Sequence, residues 1–340
     1  MTDVIDVSVQ SQDVTKNIWE NLPKHFLVLA PMEGATDVVF RQVVARAGKP
    51  DLYFTEFTNV SSYASEKGRA NALERMETAP TDRPIIAQIW GKNPDHFEMM
   101  AGALEGLGFD GLDINMGCPD KHVNRAGGGA AMIRTPELAC ECIARARRAT
   151  NLPVSVKTRL GYSSLSEWRG WLQLLFEQHP AALTVHLRTK KEMSKVPAHY
   201  DLIPEILALR AEFSPTTKLI INGDIKDYTH AHQLMGQYPE IDGCMIGRGV
   251  FANPFCFRSS GSPQATTPLR AQLFDLLSYH LDLYDERAEK LASQGSRYPF
   301  EPLKHFFKIY INNFPGASDL RAQLMECHDT TEVREILKKN

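Results

Sequence analysis

Cys118 stands between Gly117 and Pro119 in the stretch DGLDINMGCPDKHVNRAGGGA (110–130). An apolar-alternating run ends at Asn115, and the thiol follows three residues later. A glycine run closes the stretch. Proline fixes the backbone locally and glycine lets it turn, so this corner holds a thiol in place. Most cysteines are packing residues, and Cys140, Cys244 and Cys256 read that way. Cys118 does not sit on an apolar periodic face. A thiol so held serves as a proton donor, a nucleophile or a ligand. His122 is near, but no second Cys or His lies at metal spacing, and no metal is expected. The glycines that follow would let the loop lie close to a ligand.

Other apolar runs also end in groups that can do chemistry. One ends in Pro31, Met32, Glu33 and Gly34, and another in Gln88. SVKTR carries Lys157 and Arg159 directly after buried residues, and a lysine there needs a polar or anionic partner. It could stabilise negative charge on a ligand ring or serve as a Schiff-base nucleophile. His186, followed by Arg188, could donate to the same ligand; a satisfied core histidine fits its position equally well. Asn222-Gly223-Asp224 and Gly247-Arg248-Gly249 end the last two runs. Glycines at one such corner need mean only tight turns. At both corners, with Arg248 beside them, they point to phosphate.

The elements that position these groups are short. The runs are HFLVLA (25–30), LYFT (52–55), PIIAQI (84–89), GLDI (111–114), PVSVK (153–157), ALTVH (182–186), KLIIN (218–222) and GCMIG (243–247). Between them lie amphipathic segments such as 38–47, 94–107, 136–149, 166–178 and 229–238. Strands alternating with helical patterns make parallel βαβ units, and eight such units predict a (β/α)8 TIM barrel over 25–258. In that fold the C-terminal strand ends meet at one rim, which gathers the polar groups above. Residues 1–24 read as a polar N-terminal extension. SSGSPQATT (259–267) reads as a linker. Thr267–Pro268 is a helix start, with proline at the first helical position. A separate helical domain is expected over 262–340, with helical patterns at 302–313 and 332–339.

The chain has 340 residues and a formal net charge of −3. Any nucleic-acid contact therefore needs a local basic face. Six cysteines without a C-x-x-C pair fit a reducing, cytoplasmic compartment rather than a disulfide framework. No signal-peptide pattern and no membrane-spanning apolar run is read. A monomer is expected.

With these residues in place the chain resembles the tRNA-dihydrouridine synthases, a flavin-dependent family, from about Leu29 to Phe257. The motifs are LAPMEGATD (29–37), TEF (55–57), AQIWG (87–91), DINMGCPDKHVNRAGGGA (113–130), VSVKTRLG (154–161), VHLRTK (185–190), INGDI (221–225) and MIGRG (245–249). The resemblance implies FMN across the barrel mouth, NADPH as reductant and tRNA as partner. Hydride goes to C6 of a uracil, and the cysteine matching Cys118 gives a proton to C5. It carries FMN contacts onto Pro31, Met32, Glu33, Gln88, Lys157, His186, Asn222, Gly223, Asp224, Gly247 and Arg248. Asn115 and Arg159 match positions facing the uracil.

Three departures stand out. Asp120 follows the Cys-Pro corner, where its carboxylate would raise the thiol's pKa. Leu187 replaces a small residue and would narrow the mouth. The C-terminal part is nearly balanced in charge, leaving Lys190, Lys191, Lys195, Lys121, Arg125, Lys304 and Lys308 as RNA-contact candidates. Three competing readings remain open: a flavin-dependent reductase of a free small molecule, a phosphate-binding aldolase using Lys157, and a non-catalytic RNA-binding barrel.

Overall fold

Alternation along the strands builds the protein. The computed structural model describes residues 17–259 and 269–339. Most of the expected N-terminal extension (1–16), nearly all of the linker and the Thr267–Pro268 helix start lie outside the described residues.

Eight principal strands run in parallel: β1 (Phe26–Leu29), β2 (Tyr53–Phe54), β3 (Ile85–Trp90), β4 (Gly111–Met116), β5 (Val154–Gly161), β6 (Ala182–Thr189), β7 (Lys218–Asn222) and β8 (Gly243–Ile246). A short segment, Thr58–Asn59, pairs beside the end of β3. Each strand pairs with its sequence neighbour, and β8 pairs with β1. The ring closes where the Leu29 N–H donates to the Leu52 carbonyl (3.1 Å) and the Asp51 N–H to that of Leu27 (2.9 Å). This is a TIM barrel followed by a helical C-terminal region.

Side chains alternate in and out with period two. Phe26, Val28, Ile86, Ile220 and Met245 form an inner cluster near the bottom. Leu27, Leu29, Leu219, Ile221, Cys244 and Ile246 point outward into the layer beneath the helices. Higher up, the inward positions turn polar: Gln88, Asp113, Ser155 and Thr184 are all buried. At the mouth stand Asn115, Lys157, Arg159, His186, Arg188 and Asn222.

Two expectations change here. Leu187 lies on the outward side of β6, fully buried in the helix-facing core, so it does not narrow the mouth. Residues Ile18–Asn21 form a helix capped by Asn17, and its buried Trp19 packs 6.1 Å from Phe26. That stretch of the expected polar extension is part of the barrel floor, because an indole finds apolar surface there.

The expected helices form with caps suited to their residues. Asp37 caps Val38–Ala47 by accepting from the Phe40 N–H (2.9 Å), while Pro94–Leu104 and Pro136–Ala149 start on proline. The long helix Leu269–Ser293 packs on Val38–Ala47, with Phe40 4.8 Å from Phe306 and His280 hydrogen-bonded to the Tyr310 hydroxyl (2.7 Å). Glu77 receives both Arg287 and Lys290, and the Tyr298 hydroxyl donates to Asp37 (2.8 Å). The 302–313 pattern is two short helices, Glu301–Lys304 and Phe307–Tyr310. Its buried residues, from Leu303 to Ile311, surround the chain instead of following one stripe. Lys304 is only 8% exposed and pairs with Glu301 (2.9 Å), so it leaves the set of RNA-contact candidates.

Candidate active site

The strand register decides which groups meet. Asn115 lies opposite Lys157, Arg159 opposite His186, His186 opposite Asn222, and Asn222 opposite Met245. Above this row opens a cavity of about 610 Å³, a size typical of small-molecule and cofactor sites.

Cys118 sits on its wall. Asn115 Oδ1 accepts from the N–H groups of Gly117 (3.1 Å) and Cys118 (2.9 Å). The Cys118 carbonyl accepts from Asn124 Nδ2 (2.8 Å) and the Ala130 N–H (3.0 Å). Gly129 has φ +58°, and a Cβ there would lie 2.8 Å from that carbonyl and 3.1 Å from Cys118 Cβ. The glycine turn therefore packs behind the cysteine instead of lying open to a ligand. Burial pushes the thiol's pKa above its ordinary value, more strongly than any neighbouring charge. Asp120 acts both ways: its N–H donation lowers the pKa and its carboxylate raises it. That carboxylate mainly caps the next helix, accepting from His122 (2.7 Å) and Val123 (3.2 Å).

Behind Asn115 runs a buried polar ladder. Asn115 Nδ2 donates to Gln88 Oε1 (3.0 Å), and Gln88 Nε2 donates to Asp113 Oδ2 (2.7 Å). The Ser155 hydroxyl donates to Asp113 Oδ1 (2.7 Å). Burial raises Asp113 to about 6. Gln88 is 0% exposed and does not line the cavity.

The cations differ in their commitments. Lys157 reaches across the mouth to Asn222 Oδ1 (3.3 Å), whose own amide donates to the Met245 carbonyl (2.8 Å). Its ammonium is met by an amide oxygen rather than a carboxylate, and burial, then the charge of Arg159, lowers it to about 8. Arg159 donates to the carbonyls of Gly117 (2.8 Å), Thr189 (3.2 Å) and Met193 (3.0 Å). Burial brings it to about 10, still charged at neutral pH. His186 is pushed well below its ordinary value by burial, then by the surrounding cations. A guanidinium only donates, so its contact from Arg188 (3.2 Å) makes His186 Nε2 the acceptor and leaves the ring proton on Nδ1.

At the last two corners, Gly223 has φ +118° and Asp224 φ +53°. The Asp224 carboxylate is taken by Arg188, by Arg248 (3.6 Å) and by the Ala198 N–H (3.0 Å). A Cβ on Gly249 would meet the Lys226 carbonyl at 2.4 Å; one on Gly247 finds only Ala30 Cβ at 3.6 Å and Met32 Sδ at 3.8 Å.

The structure thus brings together Pro31, Met32, Asn115, Cys118, Lys157 and Arg159 with His186, Asn222–Asp224, Gly247 and Arg248. Gln88 stays below the cavity. Glu33 stands outside it, paired with Arg75. Arg188 is a wall residue to which the sequence reading gave no role, although it stood at a strand end. Phe57 and the Met193–Ser194 loop also line the cavity; Phe57 belongs to the TEF motif, whereas the loop carries no sequence signal. Among the described residues no group of three or more His, Cys, Asp or Glu side chains is placed to hold a metal.

Fold and site together define a barrel enzyme with a ligand cavity and a guarded thiol at its mouth. The family description "Dihydrouridine synthase (Dus)" matches residues 28–340. A Bacillus subtilis protein named "Probable tRNA-dihydrouridine synthase 2" is 49% identical over 324 residues, covering 95% of this chain and 96% of that one. A Staphylococcus epidermidis "Probable tRNA-dihydrouridine synthase" is 47% identical over 322 residues, 95% of each chain. Histamine dehydrogenase from Rhizobium sp. 4-9 superposes with a TM-score of 0.52 at 14% identity, over 72% of this chain and 47% of that one, a likeness of fold. The chain belongs to the dihydrouridine synthase family.

Proposed function

We propose that the protein reduces the C5–C6 double bond of a uridine in tRNA to dihydrouridine, with FMN in the barrel mouth and NADPH as the source of electrons. The observation that carries this reading is a thiol kept protonated by burial, on a rigid corner, at the wall of a cavity that two glycine corners and Arg248 also line. The names of the relatives support tRNA as the substrate.

The residues fit FMN. Gly247 leaves open the space a Cβ would fill, and the hydrogen-bond partner of the Lys157 ammonium is an amide oxygen, with buried Asp113 acting on it only through its charge. Gly223, Gly247 and Arg248 would hold the phosphate, while Asp224 fixes Arg248 and Arg188 rather than touching an anion. Pro31, Met32, Lys157, His186 and Asn222 would line the ring. Gln88 acts through Asn115, and Glu33 through Arg75, at the edge of the site.

Held there by these residues, FMN would supply hydride chemistry at C6 of the uracil. Arg159 and the remaining Asn115 N–H hold the base. Hydride arrival leaves an electron pair shared between C5 and O4, and Cys118 gives its proton to C5. A thiol below its pKa is a competent acid, and its thiolate recovers a proton from water. The uracil must leave its stack to reach Cys118, which favours a loop of folded RNA. Lys121, Arg125, Lys191 and Lys195 are exposed on the segments that follow Cys118 and β6, and would supply the local basic face.

Purified protein with FMN, NADPH and unmodified tRNA should form dihydrouridine, read by mass spectrometry of nucleosides. Free uridine should remain unreduced. Equal turnover of free uridine would make the protein a small-molecule reductase instead.

Lys157 gives a pH test. With its pKa near 8, the ammonium is largely charged at pH 7 and largely neutral at pH 9. FMN affinity should therefore weaken on the order of tenfold across that range, the scale of one charge-assisted hydrogen bond. Lys157→Met should bind FMN weakly at both pH values. A titration that runs parallel in wild type and variant would remove Lys157 from the flavin site.

A further inference from the structure

A second cavity of about 520 Å³ opens on the other side of Cys118. Phe57 and Cys118 line both cavities, so the two share a wall. The second cavity therefore lies within reach of a nucleotide next to a uracil held against Cys118.

The lining suits a base rather than a phosphate. Trp90 offers an aromatic surface, and Gly128 packs against it so closely that a Cβ would come within 2.7 Å of the ring. Bases of any identity stack on such rings. Arg75, the guanidinium of the lining, is already paired with Glu33 and with Glu56 (3.7 Å), and Asp120 adds a further negative charge. A pyrophosphate would meet carboxylates there. A polar edge is present for a base: Asn71 lines the cavity and is exposed.

We propose that the second cavity takes the nucleobase adjacent to the reduced uridine, turned out of its stack and laid against Trp90. The inference rests on the tRNA reading above.

The test uses tRNA transcripts carrying one abasic nucleotide on the 5′ or the 3′ side of the reduced uridine. With wild-type protein, one of the two should lower kcat/KM for dihydrouridine formation about ten- to a hundredfold. Trp90→Ala should lose a similar factor on intact tRNA and lose little more on that abasic transcript. Asn71→Ala, at an exposed residue of the lining, should leave the Tm unchanged and yet weaken tRNA turnover about three- to tenfold. Independent, multiplying losses in Trp90→Ala and the abasic transcript would overturn the proposal, as would two abasic transcripts handled like intact tRNA. A Trp90→Ala variant with a raised KM for NADPH and unchanged tRNA kinetics would assign the cavity to the nicotinamide nucleotide. Absence of dihydrouridine from wild type on intact tRNA would instead sink the underlying reading.

Discussion

Cys118→Ala should bind FMN and tRNA as the wild type does and form dihydrouridine about a hundred- to ten-thousandfold more slowly, the usual share of a positioned proton donor. The corner survives the substitution, because it is built from backbone. Asn115 Oδ1 holds the Gly117 and Cys118 N–H groups, and Asn124 and Ala130 hold the Cys118 carbonyl. None of these contacts uses the sulfur. Burial keeps the thiol protonated at neutral pH, so it is an acid before it is a nucleophile. Serine at the same place is a far weaker acid and should resemble alanine. Single-turnover formation of dihydrouridine, followed by mass spectrometry, reads the effect. A full rate in Cys118→Ala would falsify the proton-donor role.

The largest loss of stability should come from Arg41→Met. Arg41 and Asp82 are both 0% exposed and lie 2.8 Å apart. The guanidinium also donates to the carbonyls of Thr36 (2.7 Å) and Glu77 (2.6 Å), and Asp82 accepts from the Ala79 N–H (3.0 Å). Methionine fills much of the volume and leaves Asp82 charged and buried, which costs about 3–5 kcal/mol. For a chain of this length the Tm should fall by about 4–7 °C. Replacing both partners with apolar residues removes the stranded charge, so Arg41→Met/Asp82→Leu should recover a large part of the loss in a thermal melt. A double variant as unstable as the sum of its parts would show that the pair is not the source.

The strands were readable because they are short, apolar and followed by punctuating polar residues. Lys218–Asn222 has the bounds expected for it, and the helices at Val38–Ala47 and Pro136–Ala149 fall where their patterns place them. The parallel barrel follows from that alternation. The mouth was readable for the same reason: inward positions at strand ends carry Asn115, Lys157, His186 and Asn222. What sequence does not carry is how far along a strand an inward residue sits. Gln88 and Asn115 both stand near strand ends, yet one lies beneath the other, so Gln88 supports while Asn115 faces the cavity. Leu187 reads as a mouth residue until its parity on β6 turns it outward. Lys304 looks solvated on a helical wheel, but the chain around it is buried on several sides. The second cavity escaped entirely, because Thr58, Asn71, Trp90 and His122 come from separate elements and share no motif.

Gly223, Gly247 and Gly249 sit within one wall but answer to different demands. Gly249 faces a carbonyl too close for any side chain, and Gly223 has a backbone angle that other residues resist. The chain's own packing makes no such claim on Gly247, where a methyl group would touch Ala30 and Met32 at ordinary distance. Alanine at that position should leave folding intact and, on the proposed reading, take room that FMN needs. Gly247 would then be a mould mark: one residue of this sequence shaped by a molecule that the sequence does not encode.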